Sequence, residues 1–125
     1  MILLLDAHAV IWWISNDPAL SSEARAAIAS PSNDVLVSAA TVWEIEIKRA
    51  LGRLESPDDL LERIDSAGFT AIPVQVIDGV RAARLPAHHG DPFDRMLIAQ
   101  AASLDAVIVT RVPALDAYGV PLLRA

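Results

Sequence analysis

Short apolar runs recur along the chain at residues 2–5, 35–37, 71–74, 106–109 and 120–123. Each has the length of a buried strand, and the segments between most of them carry apolar residues at helical spacing. Alternation of this kind predicts an α/β fold with a mostly parallel central sheet. Three helix starts are marked by capping chemistry: Ser21 ahead of Ser22 and Glu23, Ser56 with Pro57 and Asp59, and Asp91 with Pro92 and Asp94. Asn16-Asp17-Pro18, Pro31-Ser32-Asn33, Gly68 and His88-His89-Gly90 break the periodic segments as short loops. No internal repeat, low-complexity tract or linker interrupts the pattern, so one compact domain is expected over residues 1–125.

In an open parallel sheet, ligands bind beyond the carboxyl ends of the strands, where helix amino termini also point. Four polar residues fall there. Asp6 follows the first apolar run, Thr110 follows the fourth, Glu44 lies early in the helix after the second, and Asp94 opens a later helix. A carboxylate between Leu5 and Ala7 is costly to bury unless it is protonated, paired or bound to a cation, although an ordinary helix cap also uses Asp at this place. In TVWEIEIKRALGRL, Trp43, Ile47, Ala50 and Leu54 form one helical stripe, with Glu44 beside it. A solvated pair with Lys48 would account for Glu44 equally well. Asp91 and Asp94 fit a cap and a third helical position, but Asp94 also borders the apolar face of Leu97, Ile98 and Ala101. Asp58 and Asp59 are explained as first-turn acids.

Composition narrows the chemistry. A 125-residue chain that is 54% hydrophobic supports one good core. With no cysteine, disulfides and thiolate metal sites are excluded, which fits a reducing cytoplasm, and any metal must be held by oxygen or histidine. The apolar start lacks a basic region and is broken by Asp6 and His8. No other apolar stretch approaches the roughly 20 residues of a membrane span. A net charge of -6 argues against general attraction to nucleic acid; the cluster Lys48, Arg49 and Arg53 is ordinarily a solvated face, although with Arg95 and Arg111 it could track phosphates. His8, His88 and His89 match no zinc spacing. Trp12 and Trp13 suit core or interface anchors better than base-stacking platforms.

The segments LLLDAHAVIWW, VSAATVWEIEIKRALGRL, LPAHHGDPFDRMLIAQA and VIVTRVPALDAYGVPLL, in that order, closely resemble the PIN-domain family over nearly the whole chain, specifically the VapC-like toxins of bacterial toxin–antitoxin pairs. The resemblance implies a small three-layer α/β/α fold whose acids bind magnesium or manganese and cleave RNA, often tRNA. By motif match the metal-site acids are Asp6, Glu44 and Asp94, with Asp91 and Thr110 in support. A VapB-like antitoxin covering the acidic site and a toxin homodimer are also implied. Two positions depart from the family pattern: Ala7 stands where Thr is usual, and Val112 replaces a fourth acid two positions after the strand-end Thr110, while Asp116 lies four residues further on. Three alternatives stand beside the metal-dependent nuclease: from the missing acid, a catalytically weakened module that mainly binds its antitoxin; from the strand-end Asp, phosphoryl transfer through an Asp6 nucleophile; and a metal-free histidine ribonuclease. The second lacks the usual acid two residues later, where His8 stands.

Overall fold

The computed structural model describes residues Met1–Ala125. Five strands, β1 (Ile2–Leu5), β2 (Asp34–Ser38), β3 (Thr70–Ile72), β4 (Val107–Thr110) and β5 (Leu122–Arg124), form one sheet in the order β3-β2-β1-β4-β5. Every pairing is parallel, with Leu4 opposite Leu36 on one side and Ile108 on the other. The central strand is buried from Leu3 to Leu5, and its alternation feeds two cores. Leu3 and Leu5 point to the larger one, with Val10, Ile28, Ile45 and Ile64, while Leu4 points to the other, with Leu97, Ile98 and Leu115. This explains why the strand reads as a continuous apolar run rather than as an alternating one.

Helices α1 (Ala7–Ile14), α2 (Ser22–Ala29), α3 (Ala39–Ala50) and α4 (Leu60–Ser66) contribute to the first core. Helix α6 (Pro92–Leu104) and the 3-10 turn Pro113–Tyr118 cover the opposite face, and α5 (Val76–Ala83) packs on α6. The result is a three-layer α/β/α sandwich. None of these helices is long and apolar enough to cross a membrane.

Ser21 and Asp91 cap α2 and α6 as expected, their side chains accepting from the amides of Ala24 and Asp94 at 3.0 Å each. Three boundaries differ from the sequence expectation. The start assigned to Ser56 lies further on, at Leu60, because Asp58 and Asp59 turn outward to pair with Arg49 and Arg63. β3 ends at Ile72 because Pro73 has no amide to offer the ladder. β5 begins at Leu122, after Pro121, whose carbonyl accepts from Ile108 at 3.0 Å.

Candidate functional site

Chain order and sheet order together create a crevice. β1 connects toward β2, whereas β4 lies on its other side, so the topology switches direction between β1 and β4 at the carboxyl ends. Asp6 leaves β1 at that point. Its amide donates to the carbonyl of Val109 at 3.1 Å, and its Oδ1 accepts from Ala9 at 2.9 Å, capping α1. Thr110, at the end of the neighbouring strand, places its hydroxyl beside Asp6 and accepts from the amide of Val112 at 3.1 Å. Both side chains are buried.

Ser38 starts α3 by accepting from the Ala40 amide, and the Thr41 hydroxyl donates to the carbonyl of Leu5 at 3.4 Å, which ties the helix to the end of β1. This orientation corrects the expected stripe. α3 buries Ala40, Thr41, Glu44 and Ile45, while Trp43 is 65% exposed. Glu44 therefore lies within the inward face, 5% exposed, and its Oε2 is 2.6 Å from Lys48 Nζ. Asp94 enters from the first turn of α6, where Asp91 holds its amide, and its Oδ2 is 2.8 Å from His89 Nε2.

The electrostatics show that these groups share one environment. Burial pushes the Asp6 carboxyl above its ordinary value, against the Ala9 amide and the Thr110 hydroxyl, which favour the ionised form. Asp94 is pushed up to about 6, first by burial, then against the His89 contact by the charges of Asp91, Glu44 and Asp6. Burial disfavours the Lys48 ammonium, but the ion pair with Glu44 and the charges of Asp91 and Asp94 leave its pKa raised. Three buried acids whose charges oppose one another form an oxygen-donor set suited to a hard cation. The fit is chemical rather than a finished cage, since no three acidic or histidine side chains close into a ready metal cluster.

The sequence profile of the PIN domain matches residues 3–118. The chain belongs to the PIN domain family. Among solved structures, this PIN domain is similar to a chain of VapBC2 from Rickettsia felis bound to a promoter DNA fragment, with a TM-score of 0.71, 13% identity, and coverage of 99% of this chain and 98% of that one. It is similar also to a chain of DNA-bound VapBC from Salmonella typhimurium, at 0.71 and 17% identity over 98% and 97%. VapBC-1 from nontypeable Haemophilus influenzae gives 0.62 and 19% over 98% and 97%. No curated protein matches the chain significantly by sequence.

Within the PIN domain the expected basic face divides. Lys48 stands in the acid site, and Arg49 pairs with exposed Asp58. Arg95 and Arg111, both half-buried, have their guanidinium groups engaged by the fold itself. Arg95 donates to the carbonyls of Ala82, Leu85, Pro86 and His89 and to the Tyr118 hydroxyl, at 2.9 to 3.2 Å. Arg111 Nε donates to the Ala125 carbonyl at 3.0 Å, and its guanidinium lies 4.4 Å over the Trp12 ring. Asp116 is exposed on the 3-10 turn, and half-buried Val112 packs against the second core. His89 is the site residue that sequence patterning undervalued. Its only signal was lying five residues before Asp94 in a loop that enters a helix.

Proposed function

We propose that the chain is a divalent-cation-dependent endoribonuclease toxin that a VapB-like antitoxin neutralises. The observation that carries this reading is the convergence of Asp6, Glu44 and Asp94, three buried acids from three separate elements of a PIN domain, on one electrostatic neighbourhood. Magnesium or manganese bound by these acids would neutralise charge on the scissile phosphate and acidify the attacking water. Asp94 or Glu44 would orient that water. His89 Nε2, 2.8 Å from Asp94 Oδ2, would fix that carboxylate as it holds the cation or accepts a proton from the water. As the water oxygen bonds to phosphorus it gives its proton to a carboxylate, the bond from phosphorus to the 3′ oxygen breaks, and that oxygen takes a proton from solvent, giving a 5′-phosphate and a 3′-hydroxyl. Asp6, held by the Ala9 amide and Thr110, stays in place throughout.

Partner binding has its own support. Trp43 is open beside Glu44, and Val76, Ile77 and Val80 of α5 are 93%, 48% and 39% exposed, offering apolar contact to an antitoxin or a second copy of the chain. The VapBC complexes among the structural neighbours point the same way. The test is RNA-end mapping with the purified protein. Cleavage in magnesium or manganese, abolished by EDTA and leaving 5′-phosphate ends, is expected; no cleavage at any concentration of either ion would refute the nuclease.

Val112 favours a second reading, a weakened module that mainly binds its antitoxin. Its apolar side chain occupies the position where the family pattern has an acid. Val112→Asp is therefore expected to tighten manganese binding about tenfold, the order of effect for one added carboxylate in a partly buried site. Unchanged affinity and cleavage would show that the missing acid limits neither.

A further inference from the structure

An i, i+4 Glu–Lys pair on a helix is ordinarily a solvated ornament of the surface, easily screened and easily lost. The pair on α3 is different. Glu44 is 5% exposed, Lys48 keeps only 34% of its side chain open, and the Nζ to Oε2 distance of 2.6 Å is that of a short charge-assisted bond. Nor does the ammonium serve Glu44 alone, because the charges of Asp91, Asp94 and Asp6 also act on it. The acid site thus contains a cation supplied by the chain itself.

We propose that Lys48 is the resting counter-cation of the acid site and competes with a divalent cation for Glu44. This inference rests on the divalent-cation reading given above. The reasoning is local. The lone pairs of Oε2 that hold the ammonium are those an incoming cation needs, and a fixed positive charge beside them repels a second one. Lys48 carries its charge on a flexible four-carbon stem that is one-third open, so the ammonium can withdraw into solvent without moving the helix. Metal entry then has a defined first event, the parting of Nζ from Oε2. In the absence of metal, the same lysine keeps three mutually repelling acids tolerable.

Calorimetric titration with manganese, without RNA, tests this in the natural protein, Lys48→Met, Lys48→Arg and Asp6→Ala. Lys48→Met is expected to bind manganese about tenfold more tightly than the natural chain, and to unfold at a lower temperature in EDTA. Lys48→Arg, which keeps the charge, should restore the weaker affinity. If Asp6-dependent manganese binding is present but Lys48→Met leaves it unchanged or weakens it, competition is overturned while the metal site stands. A loss of stability without a gain in affinity has the same meaning, for Lys48 would then be a structural partner of Glu44 only. If no form shows binding that Asp6→Ala removes, the metal-site reading falls and the competition with it.

Discussion

Asp94→Asn is expected to lower RNA cleavage by about a thousandfold, through the loss of a carboxylate that would hold the cation and take a proton from the water, while making the metal-free protein more stable at neutral pH. The two effects have one source. The Asp94 carboxyl has its pKa raised from 3.8 to about 6 by burial and by Asp91, Glu44 and Asp6. Its favourable contribution to folding is therefore complete below about pH 3.8 and is lost as pH rises through about 6. Asparagine carries no charge to lose and can still meet His89. In EDTA the variant should gain about 2 kcal/mol at pH 7.5, a figure discounted for the solvent that reaches the carboxyl, and nothing near pH 3.5. Urea unfolding at the two pH values measures this. Equal destabilisation at both would mean that the anion is well accommodated, and that no cation is needed to hold it.

Arg95→Met is expected to cost about 3 kcal/mol, because one guanidinium satisfies carbonyls at the end of α5, in the loop that follows, and at His89, together with the Tyr118 hydroxyl. Methionine fills similar space but donates nothing, leaving those oxygens to find water. Lysine at this position would not be equivalent, since an ammonium lacks the planar fork that reaches several acceptors at once, so Arg95→Lys should recover only part of the loss. The damage should also reach the chemistry, because His89, which contacts Asp94, sits in the same web. Denaturant midpoints and amide exchange over residues 82–89 follow the two effects. A change below about 0.5 kcal/mol would return Arg95 to the surface class and to the phosphate-tracking role.

These two residues also mark what a sequence can disclose. Asp6 was legible because an acid at the end of an apolar strand violates the local pattern, and such violations concentrate where function is built. Strand number, parallel pairing and the caps at Ser21 and Asp91 followed from periodicity and hydrogen-bond need. Glu44 was harder, because helical periodicity chose Trp43 for the inward face, whereas tertiary packing turned α3 so that Thr41 could reach Leu5. The contacts of Arg95 are hidden from the sequence for a related reason. A charged residue on an amphipathic helix looks solvated until the loop before it folds back, and that return involves α5, whose start is marked weakly by Gln75 and Asp78, with the Gln75 amide donating to Asp78 at 2.8 Å.

The strand order has a consequence for the timing of synthesis. β1 is made first yet occupies the centre, and its partner β4 is encoded about a hundred residues later. During translation the ribosome releases Asp6 and Glu44 well before Asp94, and the switch point that gathers them does not exist until Thr110 has emerged. A growing chain therefore lacks the gathered acid site, which forms all at once when β4 joins β1 rather than by degrees.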